Sequence, residues 1–217
     1  GIKHHLIDFI SPEERYTVSD FKKDCENAIQ EILKKNKIPI IVGGTGLYID
    51  AVINGIKYAD MEFDETFRKK LMDRAENPEE LKKMWEEANL IDAEAMKKIS
   101  LNDKKRIIRV LEIYNSTGKT KTMLETLSRE EESKYDFKIF GITMERSVLY
   151  DRINRRVDIM IENGLEDEVR NLTKKYKKFP TALQGIGYKE VIQYFNNYIT
   201  REEMIDKIKQ ESRRYAK

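Results

Sequence analysis

A glycine-rich segment contains the residues of this chain that are best suited to hold an anion. Gly43, Gly44, Thr45 and Gly46 directly follow an apolar run at residues 38–42. Glycines allow a backbone to approach a ligand closely, and the first N–H groups of a following helix favour negative charge. The Thr45 hydroxyl adds a polar group at the same position. The pattern predicts an anion-binding turn between a strand and a helix, but a tight connection with no ligand fits the glycines equally well.

A second candidate site is a pair of arginines in a helical pattern. Arg152 and Arg156 are four residues apart, so both guanidinium groups can point at one anion. Arg155 follows Asp151 by four residues and is expected to pair with it at the surface. The alternative is that all three arginines face solvent.

A basic helix is a candidate for nucleic-acid binding. Residues 101–121 include six basic and two acidic side chains, a local net charge of +4. Lys105 and Arg109 share a helix face, and Arg106 lies beside them. Phosphate contacts from this face would make RNA affinity sensitive to salt. A solvated helix surface with no ligand would look much the same.

A turn punctuated by glycines lies later in the chain, at Gln184, Gly185, Gly187, Tyr188 and Lys189. Tyr188 can stack on a base, and Lys189 can contact a phosphate. In the alternative interpretation the turn only starts a helix, and the tyrosine packs inward.

The elements that position these residues alternate between strands and helices. Short apolar runs predict strands at residues 6–10, 38–42 and 137–143, and helical spacing predicts helices at about 17–36, 47–55 and 144–164. This alternation predicts the α/β fold class with a parallel sheet, whose central strands are covered on both faces. Three strands are too few for such a sheet, so the core is expected to be partial.

Residues 57–134 differ from the rest because they are highly charged and carry no strand pattern. Helical patterns occur at residues 64–74, 78–88, 92–99 and 103–115. We therefore predict an incomplete α/β core made of residues 1–56 and 135–217, and an all-helical insertion made of residues 57–134. A lid or a dimer surface is the alternative role for the insertion.

Composition argues against several other classes of protein. The chain has 41 basic and 39 acidic residues among 217, so its overall charge does not indicate nucleic acid. No apolar run approaches the roughly 20 residues that span a bilayer, and no secretory signal is present, so we expect a cytoplasmic protein with no membrane partner. Cys25, the single cysteine, lies on the apolar face of the first helix, and is expected to be a packed thiol. His4 and His5 are adjacent and point to opposite sides of a strand, so no metal site is predicted in this chain.

The segment Thr117, Gly118, Lys119, Thr120 imitates the end of a phosphate loop. That loop requires another glycine five residues before Gly118, where Ile113 stands, and it follows a strand rather than a helix. Gly118 is instead expected to end the preceding helix.

Motifs along nearly the whole chain resemble those of the tRNA dimethylallyltransferases, which prenylate the adenosine next to the anticodon. The glycine segment is similar to the GGTGLY turn of that family. Six further segments match in the family's order: "HHLID" at 4–8, "ND..RI.RALE" at 102–112, "LY.RI..RV" at 149–157, "GL..EV" at 164–169, "AIGYKE" at 185–190 and the start of "TRQYAKRQ" at 212–217. Six collinear matches make the resemblance specific.

The resemblance implies a nucleotide-binding, P-loop-type core and an inserted helical domain that binds the anticodon stem-loop. It also implies transfer of a dimethylallyl group from dimethylallyl diphosphate to the exocyclic amine of the adenosine 3′ of the anticodon. Thr45 would lie near that amine and Arg156 would bind the diphosphate as catalytic residues, with Gly43, Gly44 and Arg152 also on the donor diphosphate. The residues expected to bind tRNA are Arg68, Lys105, Arg106, Arg109, Gln184, Gly185, Gly187, Tyr188 and Lys189.

The phosphate loop and the aspartate-bearing "DSxQ" segment of the family do not occur in this sequence. The chain is therefore interpreted as an internal fragment that is nearly inert alone, with the family's Mg²⁺ held mainly by the missing phosphate loop. The expected partners are tRNA and dimethylallyl diphosphate. The sequence leaves the oligomeric state open, with a monomer favoured.

Two other functions remain open at this point. An adenylate prenyltransferase would act on free nucleotides and would not need the large insertion. A noncatalytic RNA-binding module would bind stem-loops without using Thr45 or Arg156.

Overall fold

A computed structural model describes residues 1–56, 64–128 and 134–216 of the chain. Within these ranges every regular element is helical. The helices are α1 (Val18–Leu33), α2 (Gly46–Ile53), α3 (Glu65–Ala75), α4 (Pro78–Ile91), α5 (Ala93–Met96), α6 (Lys104–Thr117), α7 (Lys121–Ser128), α8 (Arg146–Glu162), α9 (Leu165–Lys175), α10 (Tyr188–Phe195) and α11 (Arg201–Tyr215), with a 3₁₀ turn at Ala182–Gln184.

The predicted α/β class with a parallel-sheet, P-loop-type core is wrong for this structure, because no strand occurs among the described residues. The segments at 38–42 and 137–143 have no ladder partner. Their apolar side chains are exposed: Ile38, Ile40 and Val42 by 87%, 79% and 88%, and Ile139, Phe140 and Ile142 by 72%, 85% and 92%. An apolar run forms a strand only when a neighbouring strand satisfies its backbone hydrogen bonds.

The predicted strand at residues 6–10 is wrong for a local reason. Leu6 and Asp8 have φ values of 59° and 51°, in the left-handed region. An extended strand requires negative φ at successive residues, and positive φ is uncommon for residues other than glycine. The backbone of this segment therefore turns instead of extending.

The chain divides into two compact units, which are described separately. The first unit contains Gly1–Thr17 and Lys138–Lys217, and the second contains Val18–Phe137. The predicted division into a core of residues 1–56 and 135–217 and an insertion of residues 57–134 stays a prediction.

In the second unit, α1 and α2 pack against each other. The rings of Phe21 and Tyr48 stack with their centroids 4.6 Å apart. Lys22 Nζ donates to the carbonyl oxygens of Gly55 and Ile56 at 2.9 and 3.0 Å, so α1 also holds the segment that follows α2. Cys25 is buried in α1, as predicted.

Helices α3 to α6 share a hydrophobic core in the same unit, to which Leu71, Met84, Met96, Ile107 and Val110 contribute. The starts of these helices are capped by the side chains of Asp64, Asn77, Asp92 and Asp103. Each cap satisfies N–H groups that have no partner inside the helix. The indole of Trp85 donates to the carbonyl oxygen of Ile99 at 2.9 Å, which fixes α4 against the segment that follows α5.

In the first unit, α8, α9, α10 and α11 enclose a second core that includes Val157, Leu165, Val169, Val191 and Met204. Polar contacts join α8 to α11. Arg213 donates to Asn154 at 2.5 Å, and Lys209 pairs with Asp158 at 2.6 Å.

The helices predicted from sequence are confirmed to within a few residues, and Gly118 ends α6 with φ of 65°, as predicted. Helix α1 stops at Leu33, three residues before the predicted end, and Asn36 just beyond it has φ of 54°. Of the described helices, none is long and apolar enough to cross a bilayer.

Candidate functional site

The glycine segment forms an exposed turn that leads into α2. Thr45 is the N-cap residue, with φ of −81° and ψ of 91°, and its carbonyl accepts from the N–H groups of Tyr48 and Ile49 at 3.0 and 3.2 Å. Its side chain makes no capping hydrogen bond. The first N–H groups of the helix have no carbonyl partner inside it, so the turn presents donors suited to an anion.

The three glycines of this turn are not required by the described fold. None of Gly43, Gly44 and Gly46 has positive φ, and a Cβ atom added at any of them would meet nothing within 4 Å. By contrast, Gly118 and Gly164 have φ of 65° and 89°, which disfavours other residues. The described backbone therefore does not require glycine at these positions, and close approach of a ligand stays a prediction.

The arginine helix is α8. Arg152, Arg155 and Arg156 are all exposed, and none of them makes an ion pair or hydrogen bond with another described residue. The expected pair between Asp151 and Arg155 is therefore not formed in this part of the structure.

The contacts of α8 nevertheless distinguish its arginines. Helix α11 contacts the side of α8 that bears Asn154 and Asp158. At 3.6 residues per turn, Arg156 lies about 160° from both of these residues, and Arg155 only about 60° from Asp158. Arg156 and Arg152 thus share a side of α8 that is remote from α11.

The basic helix is α6, and most of its cations have acidic partners. Lys104 pairs with Glu76 at 3.1 Å, Arg106 with Asp103 at 3.3 Å, and Arg109 with Glu112 at 3.6 Å. Lys105 is exposed and has no ion pair within the described ranges. The face predicted for RNA binding thus combines Lys105 with partly exposed arginines.

Arg68 lies on α3 and reaches the same region. Its Nη1 donates to Oε1 and Oε2 of Glu112 at 2.9 and 3.1 Å. The structure therefore brings Arg68 and Arg109 together on one carboxylate, although they are 41 residues apart. Sequence reasoning missed Glu112, whose position beside the apolar residues Ile108 and Leu111 is the signal that could have revealed it.

The glycine-punctuated turn of the first unit precedes α10. Gln184 and Gly185 are exposed, whereas Gly187 is buried with φ of 101°, and its N–H donates to Glu190 at 2.7 Å. The Tyr188 ring packs against the second core, and its hydroxyl donates to Glu168. Lys189 pairs with Glu190 at 3.3 Å and is partly exposed.

The environment of Tyr188 holds its hydroxyl in the protonated form. Burial, followed by the hydrogen bond to Glu168 and the negative charge of that carboxylate, raises the pKa of Tyr188 to about 12. This geometry favours the interpretation in which the tyrosine packs inward. Base stacking by Tyr188 stays a prediction.

The candidate residues belong to both units. Thr45, the glycine turn, Arg68 and the cations of α6 are in the second unit, while Arg152, Arg156 and the 184–189 turn are in the first. Across the described ranges, no group of three or more His, Cys, Asp or Glu side chains is arranged to hold a metal ion.

Comparison with known proteins gives matches over the whole chain. The model of the IPP transferase family matches residues 1–217. A protein of Carboxydothermus hydrogenoformans named tRNA dimethylallyltransferase is 45% identical over 219 residues, covering 100% of this chain and 70% of that protein. A protein of Thermoanaerobacter sp. with the same name is 43% identical over 220 residues, with the same coverage.

Two solved structures extend this similarity. A tRNA isopentenylpyrophosphate transferase from Bacillus halodurans is 40% identical with a TM-score of 0.65, and the match covers 100% of this chain and 66% of that one. A eukaryotic dimethylallyltransferase described as acting on tRNA is 28% identical with a TM-score of 0.77, covering 100% of this chain and 55% of that one. The chain thus spans between about half and 70% of the length of these proteins.

Proposed function

Because the chain belongs to the IPP transferase family, and its relatives are named tRNA dimethylallyltransferases, we propose that it takes part in transferring a prenyl group to tRNA. The donor is dimethylallyl diphosphate, and the acceptor is the exocyclic amine of the adenosine 3′ of the anticodon. The observation that carries this proposal is similarity over the entire chain to proteins named for that reaction. The exposed glycine turn, whose glycines the described fold does not require, supports it independently.

In this reaction the amine nitrogen bonds to the allylic carbon, the bond between that carbon and the diphosphate oxygen breaks, and a proton passes from the nitrogen to a base or to solvent water. Negative charge therefore grows on the departing diphosphate. Groups that are already oriented towards the developing charge stabilise the transition state more than the ground state. Arg156 and Arg152, in the first unit, supply guanidinium groups for the diphosphate. The backbone of Gly43 and Gly44, in the second unit, is a separate candidate for close approach to an anion.

Thr45 is the residue proposed to lie near the reacting amine. Its side chain lies at the start of α2 and makes no capping hydrogen bond there. A hydroxyl can accept a hydrogen bond from the amine and orient its lone pair towards the allylic carbon.

A magnesium ion is also expected for diphosphate transfer, where it would neutralise charge on the phosphate oxygens. The described residues do not fit this ion, since they contain no suitable group of carboxylates. The proposed steps therefore use only side chains and backbone groups of the chain itself.

Recognition of RNA is proposed for the α6 surface with Arg68 and for the turn containing Gln184, Gly185, Gly187, Tyr188 and Lys189. Their cations would neutralise phosphates of the stem-loop. The substrate class can be tested with labelled dimethylallyl diphosphate, offering the intact protein either an anticodon stem-loop or free AMP. Label should enter only the stem-loop. Label in AMP alone would contradict the proposal. Binding of the stem-loop without transfer of label would favour a noncatalytic RNA-binding module.

Removing three cations from α6 should make RNA binding less sensitive to salt. In the variant Lys105→Ala/Arg106→Ala/Arg109→Ala, the slope of log affinity against log salt should fall by about 0.7 for each lost single-strand contact and about 0.9 for each duplex contact, roughly 2 to 3 in total. Affinity for the stem-loop is measured by fluorescence anisotropy at several salt concentrations.

The matched control is Lys34→Ala/Lys35→Ala/Lys37→Ala, which removes the same charge from exposed residues near the end of α1. This variant should change the slope far less. Equal slopes for the two triple variants would assign the α6 cations to a solvated surface.

Replacing a loop glycine should separate folding from chemistry. Gly44→Ala places a methyl group in open space at a residue with ordinary φ, so the free energy of unfolding should change by less than about 1 kcal/mol. Prenyl transfer should fall at least roughly tenfold if the donor diphosphate contacts this backbone. Thermal unfolding and steady-state kinetics measure the two effects, and unchanged kinetics would remove Gly44 from the proposed donor site.

A further inference from the structure

One acidic side chain is buried within the apolar face of α6. The side chain of Glu112 is only 8% exposed and lies beside Ile108 and Leu111, which are buried. Burial of a carboxylate is unfavourable unless charged or hydrogen-bonding partners surround it. The partners of Glu112 therefore indicate what this carboxylate does.

Two arginines from different helices converge on Glu112. Arg68 of α3 donates to both carboxylate oxygens at 2.9 and 3.1 Å, and Nη1 of Arg109 lies 3.6 Å from Oε2. The side chains of Arg68 and Arg109 are 32% and 47% exposed. The negative charge is thus inside, and both guanidinium groups reach the surface.

The positive surface continues along α6. Lys105 lies one turn before Arg109 on the same helix face, about 6 Å along the axis. It is exposed and makes no ion pair with any described residue. Cations from α3 and α6 therefore lie along one surface. The contact between Arg68 and Glu112 links the two helices there.

We propose that Glu112 is a positioning residue for RNA binding, whose buried carboxylate holds Arg68 and Arg109 in the orientation that contacts RNA phosphates. This inference rests on the proposed function, because it takes RNA as the ligand. A long arginine side chain loses rotamer freedom when it binds. Where a buried partner has already fixed the side chain, that loss occurs during folding and no longer weakens binding.

The proposal predicts an effect opposite in sign to that of charge alone. Glu112→Gln removes a negative charge near the surface, so Coulomb attraction by itself would strengthen phosphate binding. If Glu112 positions the arginines, the variant should instead bind an anticodon stem-loop more weakly, by roughly 3- to 10-fold for two loosened side chains. The dissociation constant is measured at fixed salt by fluorescence anisotropy.

Glu76→Gln is the matched control, because Glu76 carries the same charge and forms an exposed ion pair with Lys104, which lies on α6 like Glu112. The Glu76 variant should bind as tightly as the unmodified protein or slightly more tightly. Trp85, the single tryptophan, lies in the core next to α6 and reports by its fluorescence whether each variant is folded.

A second comparison separates positioning from a general structural effect. In the Arg68→Ala/Arg109→Ala background, adding Glu112→Gln should cause no further loss of affinity, because the carboxylate acts only through these two side chains. If Glu112→Gln does not fold, Glu112→Asp takes its place. It keeps the charge, withdraws the carboxylate by one methylene group and should also weaken binding.

The outcomes distinguish this inference from the proposed function. If the unmodified protein binds the stem-loop and the folded Glu112 variants bind it equally or more tightly, the positioning role alone is overturned. Absence of any stem-loop binding by the unmodified protein would overturn the proposed function, and the inference with it. Weaker binding by the Glu112 variants, unchanged binding by Glu76→Gln and no added loss in the double-arginine background would support both.

Discussion

Replacing Arg156 with alanine should lower kcat for prenyl transfer by roughly 10²- to 10³-fold, the loss typical of one preorganised group that stabilises developing charge. The guanidinium of Arg156 is exposed and makes no ion pair with a described residue, so it remains available for the diphosphate. The affinity of the protein for tRNA should change much less, because the interaction strengthens only as the allylic bond breaks. Steady-state kinetics and a stem-loop binding assay on the intact protein measure the two effects.

Two neighbouring substitutions serve as controls. Arg156→Lys should recover only part of the rate, since an ammonium group cannot reproduce the two parallel hydrogen bonds of a guanidinium. Arg155→Ala removes the same charge one position earlier, on the side of α8 nearer to Asp158, and should have little effect. A severe loss in the Arg155 variant together with normal turnover in the Arg156 variant would show that the proposed donor-binding side of α8 is wrong.

Helices were predictable from the sequence because their hydrogen bonds are local. In α6, the cap at Asp103, the apolar spacing from Ile107 to Leu111 and the glycine at 118 all lie within the element itself. Strands depend on a distant partner, so the apolar run at 38–42 specifies no structure by itself. Its side chains are exposed in the described structure, and the prediction of a sheet fails there.

The same distinction applies to the candidate site. Thr45, Lys105 and Arg156 are exposed. Their positions follow from local patterns in the sequence: a glycine turn before α2, and the helical spacing of polar residues in α6 and α8. The convergence of Arg68 and Arg109 on Glu112 joins residues on two helices, and no spacing rule predicts it. In the sequence, Glu112 is one of the two acidic residues that lower the net charge of residues 101–121. In the structure, its carboxylate is buried and has two arginine partners.

Helix α7 was also missed, and its main support is again non-local. Its first turn contains Thr122, whose N–H and hydroxyl donate to Asp92 at 2.8 and 2.7 Å across 30 residues of sequence. Asp92 also accepts from the N–H of Ala95 at 3.0 Å, and so caps α5 where α4 ends. The buried carboxylate of Asp92, at the end of α4, thus joins the start of α5 to the first turn of α7.

Asp92→Ala should therefore reduce the free energy of unfolding by about 3 kcal/mol, from one lost helix cap and from partly buried donors left without an acceptor. Urea unfolding followed by Trp85 fluorescence measures this change, since Trp85 lies on α4 of the same core. Asp64→Ala is the matched control, because Asp64 caps α3 through a single exposed hydrogen bond from Phe67. It should cost only about 1 kcal/mol. Equal losses for the two variants would contradict the linking role of Asp92.

The stability contributed by Asp92 should also depend on pH. Burial opposes ionisation of this carboxyl, but the hydrogen bonds from Thr122 and Ala95 outweigh it and hold the pKa of Asp92 below its usual range. A group whose pKa is depressed by folding stabilises the protein above its unfolded pKa, about 3.9 for aspartate, and loses that contribution as pH falls through the lower folded value. The free energy of unfolding should therefore fall more steeply below about pH 4 in the unmodified protein than in Asp92→Asn. Parallel curves for the two proteins would show that the Asp92 carboxylate is not stabilised in its charged form by the fold.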